Sequence, residues 1–279
     1  MNKLSTEDRV KVIASLVEGN SIRATVRMTG IAKNTIAKLL EEIGSVCAEY
    51  QDVNLRNLRC KRIQCDEIWS YCYAKQKNVP EDKQGQFGFG DVWTWTAIDA
   101  DSKLVVSWYV GLRNAEHAKV FMNDLATRLS NRVQLTTDGL KAYLEAVEDA
   151  FGADIDYAML VKMYGQEGAG EARYSPPSCI GTRRQCIVGK PKQAGISTSF
   201  VERQNLTMRM GMRRFTRLTN GFSKKVQNLE YAVALHFMYY NFVRVHQTLR
   251  VTPAMAAGVT DHLWEIADIV RLLEEKESN

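Results

Sequence analysis

Between Arg59 and Phe151 the hydrophobic pattern changes period in an order that few folds accommodate: three extended segments, a helix, a short extended segment and a second helix. Arg59–Ile68, Val92–Ile98 and Leu104–Val110 are rich in β-branched and aromatic residues, and Asp99-Ala100-Asp101-Ser102 supplies turn residues between the last two. They predict a three-strand meander. Asn114 stands where a helix cap belongs, with Ala118, Phe121, Met122 and Leu125 on one face of a helix reaching Leu129. Val133–Thr137 is then a strand, Leu140–Phe151 a helix and Tyr157–Tyr164 a further apolar strand. Such an order predicts an α/β domain around a mixed central sheet.

The rest of the chain is helical or loop-like. Ser5 and Asp8 mark a helix start ahead of Val10, Ile13, Ala14 and Val17; Ser21 starts a second, Gly30 offers a turn, and Ile36, Leu39, Leu40 and Ile43 stripe a third. Residues 1–44 therefore predict a small all-α helix-turn-helix unit. Lys33, Asn34 and Lys38 would lie at the exposed start and outer side of its third helix, where side chains reach a major groove; a small helical cap or dimerisation unit is the alternative. Residues 45–58 are weakly periodic and read as a linker, 59–250 as the larger domain and 251–279 as a helical end closed by the amphipathic segment Glu265–Glu277. Gly165–Gly195, with its Gly, Pro, Ser and scattered basic residues, predicts a loop that is mobile without DNA. A helix should follow from Thr198 to about Arg214, backed by an apolar helix over Asn228–Val245.

Charge points to a polyanion partner. The net charge of +5 is modest, but Arg203, Arg209, Arg213, Arg214, Arg217, Lys224 and Lys225 follow one another without an intervening acid. A face built from them would repel itself unless phosphates relieved it. The six cysteines form no C-x-x-C pair and no zinc-finger spacing, so free thiols in a reducing cytosol are expected. No run approaches the roughly 18 apolar residues of a membrane span, and no signal segment opens the chain. A cytosolic protein without a membrane partner is the expectation.

Three carboxylates stand out by position. If the first strand of the meander lies beside the later parallel strand, Asp66 and Asp138 occupy adjacent strand ends, and a helix crossing the same edge brings in Glu202. Three such negative groups are unstable together without a cation, and two Mg²⁺ (or Mn²⁺) ions held by carboxylates about 4 Å apart are suited to in-line phosphoryl transfer. Asp66 is preferred over Glu67 because neighbouring side chains on a strand face opposite ways.

These motifs resemble those of the insertion-sequence-one family of bacterial transposases: Asp66-Glu67-x-Trp69-Ser70, Thr137-Asp138-x-x-x-x-Tyr143, and Glu202-Arg203-x-Asn205-Leu206-Thr207-x-Arg209. The resemblance runs from Cys65 to about Lys225. It implies a ribonuclease-H-like domain, an Asp66-Asp138-Glu202 triad binding Mg²⁺, contact of Arg203 and Asn205 with DNA, and Arg209 holding a phosphate from the face of Glu202. The implied activity is nicking and strand transfer at transposon ends into target DNA, by at least a dimer, in a bacterial or archaeal cytosol. A structure-specific nuclease or resolvase would use the same carboxylates with water alone as nucleophile. A catalytically idle DNA-binding regulator derived from a transposase is the remaining alternative.

Overall fold

Capping sets where the first helices begin. In the computed structural model, which describes residues 3–165, 179–216 and 220–278, Ser5 Oγ accepts from Asp8 N and opens α1 (Thr6–Val17), and Ser21 Oγ does the same for Ala24 N at α2 (Ile22–Thr29). Gly30, at φ 73°, ends α2 in the left-handed region that costs glycine least. Helix α3 spans Lys33–Asn54, so most of the segment read as a linker is helical. The reason is a continuous inner stripe: Ile36, Leu39, Leu40, Ile43, Val46, Cys47 and Gln51 are all buried at helical spacing.

That stripe packs on α7 (Val226–Met238). At the crossing Gly44 has no room for a side chain, since a Cβ there would lie 2.4 Å from Tyr231 Cβ. Gln51 Nε2 donates to Cys47 O and, across the interface, to Ala234 O at 3.0 Å. One apolar cluster accordingly runs from Val12 and Ile36 through the sheet to Leu273, which lies on the last helix, α9 (Ile266–Ser278). No helix among the described residues is long and apolar enough to cross a membrane.

Among the described residues the sheet has six strands: β1 (Arg62–Cys72), β2 (Gly90–Asp99), β3 (Val105–Gly111), β4 (Gln134–Thr137), β5 (Asp156–Tyr164) and β6 (Cys179–Val188), in the order β3-β2-β1-β4-β5-β6. Strands β1, β2 and β3 pair antiparallel, β4 is parallel to both β1 and β5, and β6 closes the far edge antiparallel to β5. Strand β6 lies inside the segment read as a loop over Gly165–Gly195. Its side chains are exposed or half-exposed throughout, so no apolar periodicity marks it, and pairing with β5 alone makes it a strand. Residues 166–178 of that segment lie outside the described residues.

Alternation along β1 sorts the sheet's two faces. Glu67, paired with the fully buried Trp95, faces α4 (Ala115–Arg128) and α5 (Ala142–Phe151), whose Phe121 and Tyr143 rings pack on Trp95. Gln64 and Asp66 face α6 (Ser199–Gly211). Among the described residues the six cysteines are free thiols.

Candidate active site

Strand lengths create the site. The parallel pairing of β1 with β4 runs from Arg62↔Gln134 to Cys65↔Thr137 and stops there, while β1 continues for seven more residues. The next residue on each strand is Asp66 and Asp138, so two carboxylates flank an open strand edge. Asp138 Oδ1 accepts from Leu140 N at 3.0 Å, which turns the chain into α5, and its Oδ2 lies 3.8 Å from Arg113 Nη2.

Helix α6 is placed over the same edge by a residue that the sequence reading did not single out. Gln64 Oε1 accepts from Phe200 N at 2.8 Å and Val201 N at 3.3 Å, satisfying two otherwise unpaired donors at the helix start. One turn on, Asn205 Nδ2 donates to Asp66 Oδ2 at 2.8 Å. Glu202, Asn205 and Arg209 share the helix face that lines a cavity of about 630 Å³ together with Asp66, Glu67, Asp138 and Lys162.

The closest acidic grouping is not the expected one. Asp66, Glu67 and Asp138 each offer an oxygen within 4.8 Å of the others. Glu67 does point to the opposite sheet face from Asp66, as strand alternation demands, but beyond Thr137 no neighbouring strand separates the two carboxylates. Its charge is matched: Arg113 Nε donates to Oε1 at 2.6 Å and Tyr143 OH to Oε2 at 3.1 Å. Tyr143 was legible only as part of a motif, whereas Arg113, at the exit of β3, carried no sequence signal. Glu202 lines the cavity without joining the group, because Lys162 Nζ and Thr198 Oγ1 both donate to its carboxylate.

Electrostatics follow from the crowding. Burial pushes Asp66 up to about 8, with Glu67, Asp138 and Glu202 adding to the effect. Glu67 and Asp138 also rise, in each case first through burial; Arg113 opposes this at both. Carboxyl groups whose hold on protons is raised by burial and by one another are groups that a divalent cation can bind by displacing protons. The all-oxygen donor set suits a hard ion such as Mg²⁺ or Mn²⁺.

The predicted basic face is divided. Arg209 lines the acidic cavity, whereas Arg203 lies on the other side of α6 in a separate groove. Arg213, Lys224 and Lys225 are exposed, with Lys224 Nζ 4.2 Å above the Phe222 ring. Arg214 is turned inward: its Nε donates to Ser223 Oγ at 2.8 Å, and burial lowers its guanidinium to about 10. Arg217 lies outside the described residues. Far earlier in the chain, Lys33, Asn34 and Lys38 are exposed on the first turns of α3, where Lys38 pairs with Glu42 at 3.4 Å.

No family model and no curated protein matches the chain. Among solved structures it is similar to a piggyBac transposase in a synaptic complex with hairpin DNA, at 8% identity and a TM-score of 0.42, over 100% of this chain and 75% of that one. It is also similar to a Mos1 transposase paired-end complex with the left transposon end (12% identity, TM-score 0.22, 53% of this chain and 58% of that one) and to a Mos1 strand transfer complex (11%, 0.26, 85% and 76%).

Proposed function

We propose that the chain is a DNA transposase of the Asp-Asp-Glu type, with a ribonuclease-H-like catalytic domain and a likeness to the insertion-sequence-one family. The observation that carries this reading is the meeting of Asp66, Glu67 and Asp138 at the open end of two adjacent parallel strands, with Glu202 in the same cavity. A sheet ordered β3-β2-β1-β4-β5 with only β2 antiparallel to its neighbours in that run supports the domain assignment. Asp66, Asp138 and Glu202 are the residues proposed to hold the metal, Mg²⁺ or Mn²⁺ and two ions in the full site. Bound there, such ions supply Lewis-acid activation of a water or 3′-hydroxyl nucleophile and neutralise charge on the leaving 3′ oxygen.

The remaining roles belong to the chain's own side chains. Asn205 fixes the rotamer of Asp66 through its 2.8 Å hydrogen bond. Arg113 and Tyr143 hold Glu67 so that its charge stays compensated beside the ligands. Glu202 is freed for its role when Lys162 moves off, and a DNA phosphate entering the cavity gives Lys162 and Arg209 an alternative anion. The helix-turn-helix reading of α1 to α3, with Lys33, Asn34 and Lys38 as DNA contacts, supplies the binding of transposon ends, and pairing two ends calls for at least a dimer.

The test is an oligonucleotide with a pre-cut 3′ end, incubated with target DNA and Mg²⁺ or Mn²⁺. Joined product is expected from the parent protein and none from Asp138→Asn, with end binding retained in both. Hydrolysis without joining makes the protein a nuclease or resolvase. Metal-insensitive DNA binding with neither product makes it a binding regulator.

A further inference from the structure

The face of α6 turned away from the carboxylates borders a second recess, of about 490 Å³, closed by the chain that follows α7. Asn241 fixes that chain in place: its side chain, fully buried, accepts from Val105 N and donates to Val105 O, both at 3.0 Å, and so clamps the edge strand β3. Beyond the clamp, Arg244 and His246 face Arg203 and Gln204 of α6 across the recess, with Lys103 on its floor. None of the residues lining the recess is acidic. Arg203 and Arg244 are exposed and form no ion pair among the described residues, while Lys103 Nζ sits 3.7 Å above the Phe200 ring and donates to Ala100 O and, at 3.4 Å, to Asp101 O. Asp99 and Asp101 act on Lys103 only from its own turn.

Two buried polar atoms here lack partners. Among the described residues Gln204, 2% exposed, has no acceptor for its Nε2, and His246 Nδ1 is likewise unpaired. A buried amide donor left without an acceptor costs about 1–3 kcal/mol, which an anionic oxygen that reached it beside the three cations would recover. Burial, Lys103 and Arg244 together lower His246, which keeps it neutral near pH 7 and able to offer a single N–H.

We propose that this recess is a second DNA contact, built to take consecutive backbone phosphates of a duplex on the side of α6 opposite the carboxylates. The proposal rests on the reading of the chain as a DNA enzyme and names a surface which that reading does not require. Phosphodiester oxygens match the donors present: two guanidinium forks, one ammonium and one amide N–H. A duplex is favoured over a single strand because, among the described residues, the recess offers no exposed phenyl or phenol ring for base stacking. Phe200 is already covered by Lys103, and Tyr240 is only 7% exposed. Helix α6 then carries Glu202 on one face and a phosphate clamp on the other, so DNA seated in the recess fixes the helix that presents Glu202.

The experiment measures binding of the full chain to a labelled duplex, and to a single strand of equal length, in EDTA over a range of salt. Lys103→Gln with Arg244→Gln should lower the salt slope for the duplex by about 2 units, and Arg203→Gln alone by about 1. Gln204→Leu should weaken duplex binding several-fold with the slope unchanged. Arg203 is exposed and unpaired in the fold, so its variant keeps the test open if the double variant melts early. Mn²⁺ binding at the carboxylates serves as the folding control. Parental affinity and slope in Arg203→Gln and the double variant overturn this site and leave the carboxylate reading intact, as does a slope loss seen with the single strand alone. Groove-dependent duplex binding without cleavage or joining by the metal-loaded protein supports this site and removes the enzymatic reading.

Discussion

Replacing Asp66 by Asn isolates the electrostatic cost of crowding carboxylates at one strand edge. Burial and three acidic neighbours hold Asp66 at about 8 in the folded protein, against 3.8 for an ordinary Asp. The folded metal-free protein therefore keeps a proton there that the unfolded chain releases. A raised pKa of this kind favours folding most below pH 4, and the benefit is lost as pH climbs through the window from about 4 to 8. At pH 7 roughly three units separate the solution from the unfolded value, which at 1.36 kcal/mol per unit is about 4 kcal/mol. Sharing of protons among coupled carboxyls, with water entry, reduces this to about 2 kcal/mol. In the variant the amide oxygen still accepts from Asn205, so the hydrogen bond survives. Metal-free D66N is expected to exceed the parent by about 2 kcal/mol at pH 7, roughly 5 °C in Tm, and to match it near pH 4. Urea unfolding of both proteins in EDTA from pH 4 to 8 gives the difference at each pH, in which titrations not coupled to Asp66 cancel. Saturating Mn²⁺ should reverse the order, because only the parent keeps the ligand. Profiles that stay parallel across the whole window would falsify the crowding account.

Three further outcomes follow from named contacts. His236 is buried with both ring nitrogens unpartnered among the described residues, and burial and then Arg244 push it down to about 3. A depressed histidine supports folding above its unfolded pKa and loses that support as pH falls. The parent should thus weaken by about 2 kcal/mol between pH 7 and pH 5, a slope that His236→Leu flattens in the same unfolding assay. Gly44→Ala forces apart two helices whose backbones touch, and should cost about 1–3 kcal/mol at unchanged denaturant m-value; a neutral effect would mean that α3 and α7 slide freely. Lys162→Met removes the ammonium that occupies Glu202, and calorimetry should find Mn²⁺ bound several-fold tighter; weaker binding would make Lys162 a helper of the site.

Period and capping are local properties, which is why so many elements could be read without coordinates. Ser5, Ser21 and Asn114 each accept the backbone N–H expected of a cap, and the stripe Ala118, Phe121, Met122 and Leu125 is buried as its spacing requires. The order of strands and helices between β1 and α5 was likewise legible, because each element there hides one face from water. Strand β6 was not, since both its faces are exposed and its existence depends on the backbone of β5. Nor was the length of α3, whose last turns are stabilised by α7, some 180 residues away.

The acidic residues announced themselves by type and position, but their company did not. Whether a carboxylate meets a cation from the chain or is left for one from solution depends on where distant segments end. Strand β4 stops at Thr137, which lets Glu67 reach Asp66 and Asp138, and the exit of β3 delivers Arg113 to Glu67 from 46 residues away. Lys162 meets Glu202 only because β5 runs parallel beside β4. Sequence alone determined most of the elements and the three acidic motifs, because periodicity and caps act within a few residues. Tertiary structure decided which charges face one another, because Coulombic pairing and desolvation depend on distances through space that no local pattern records.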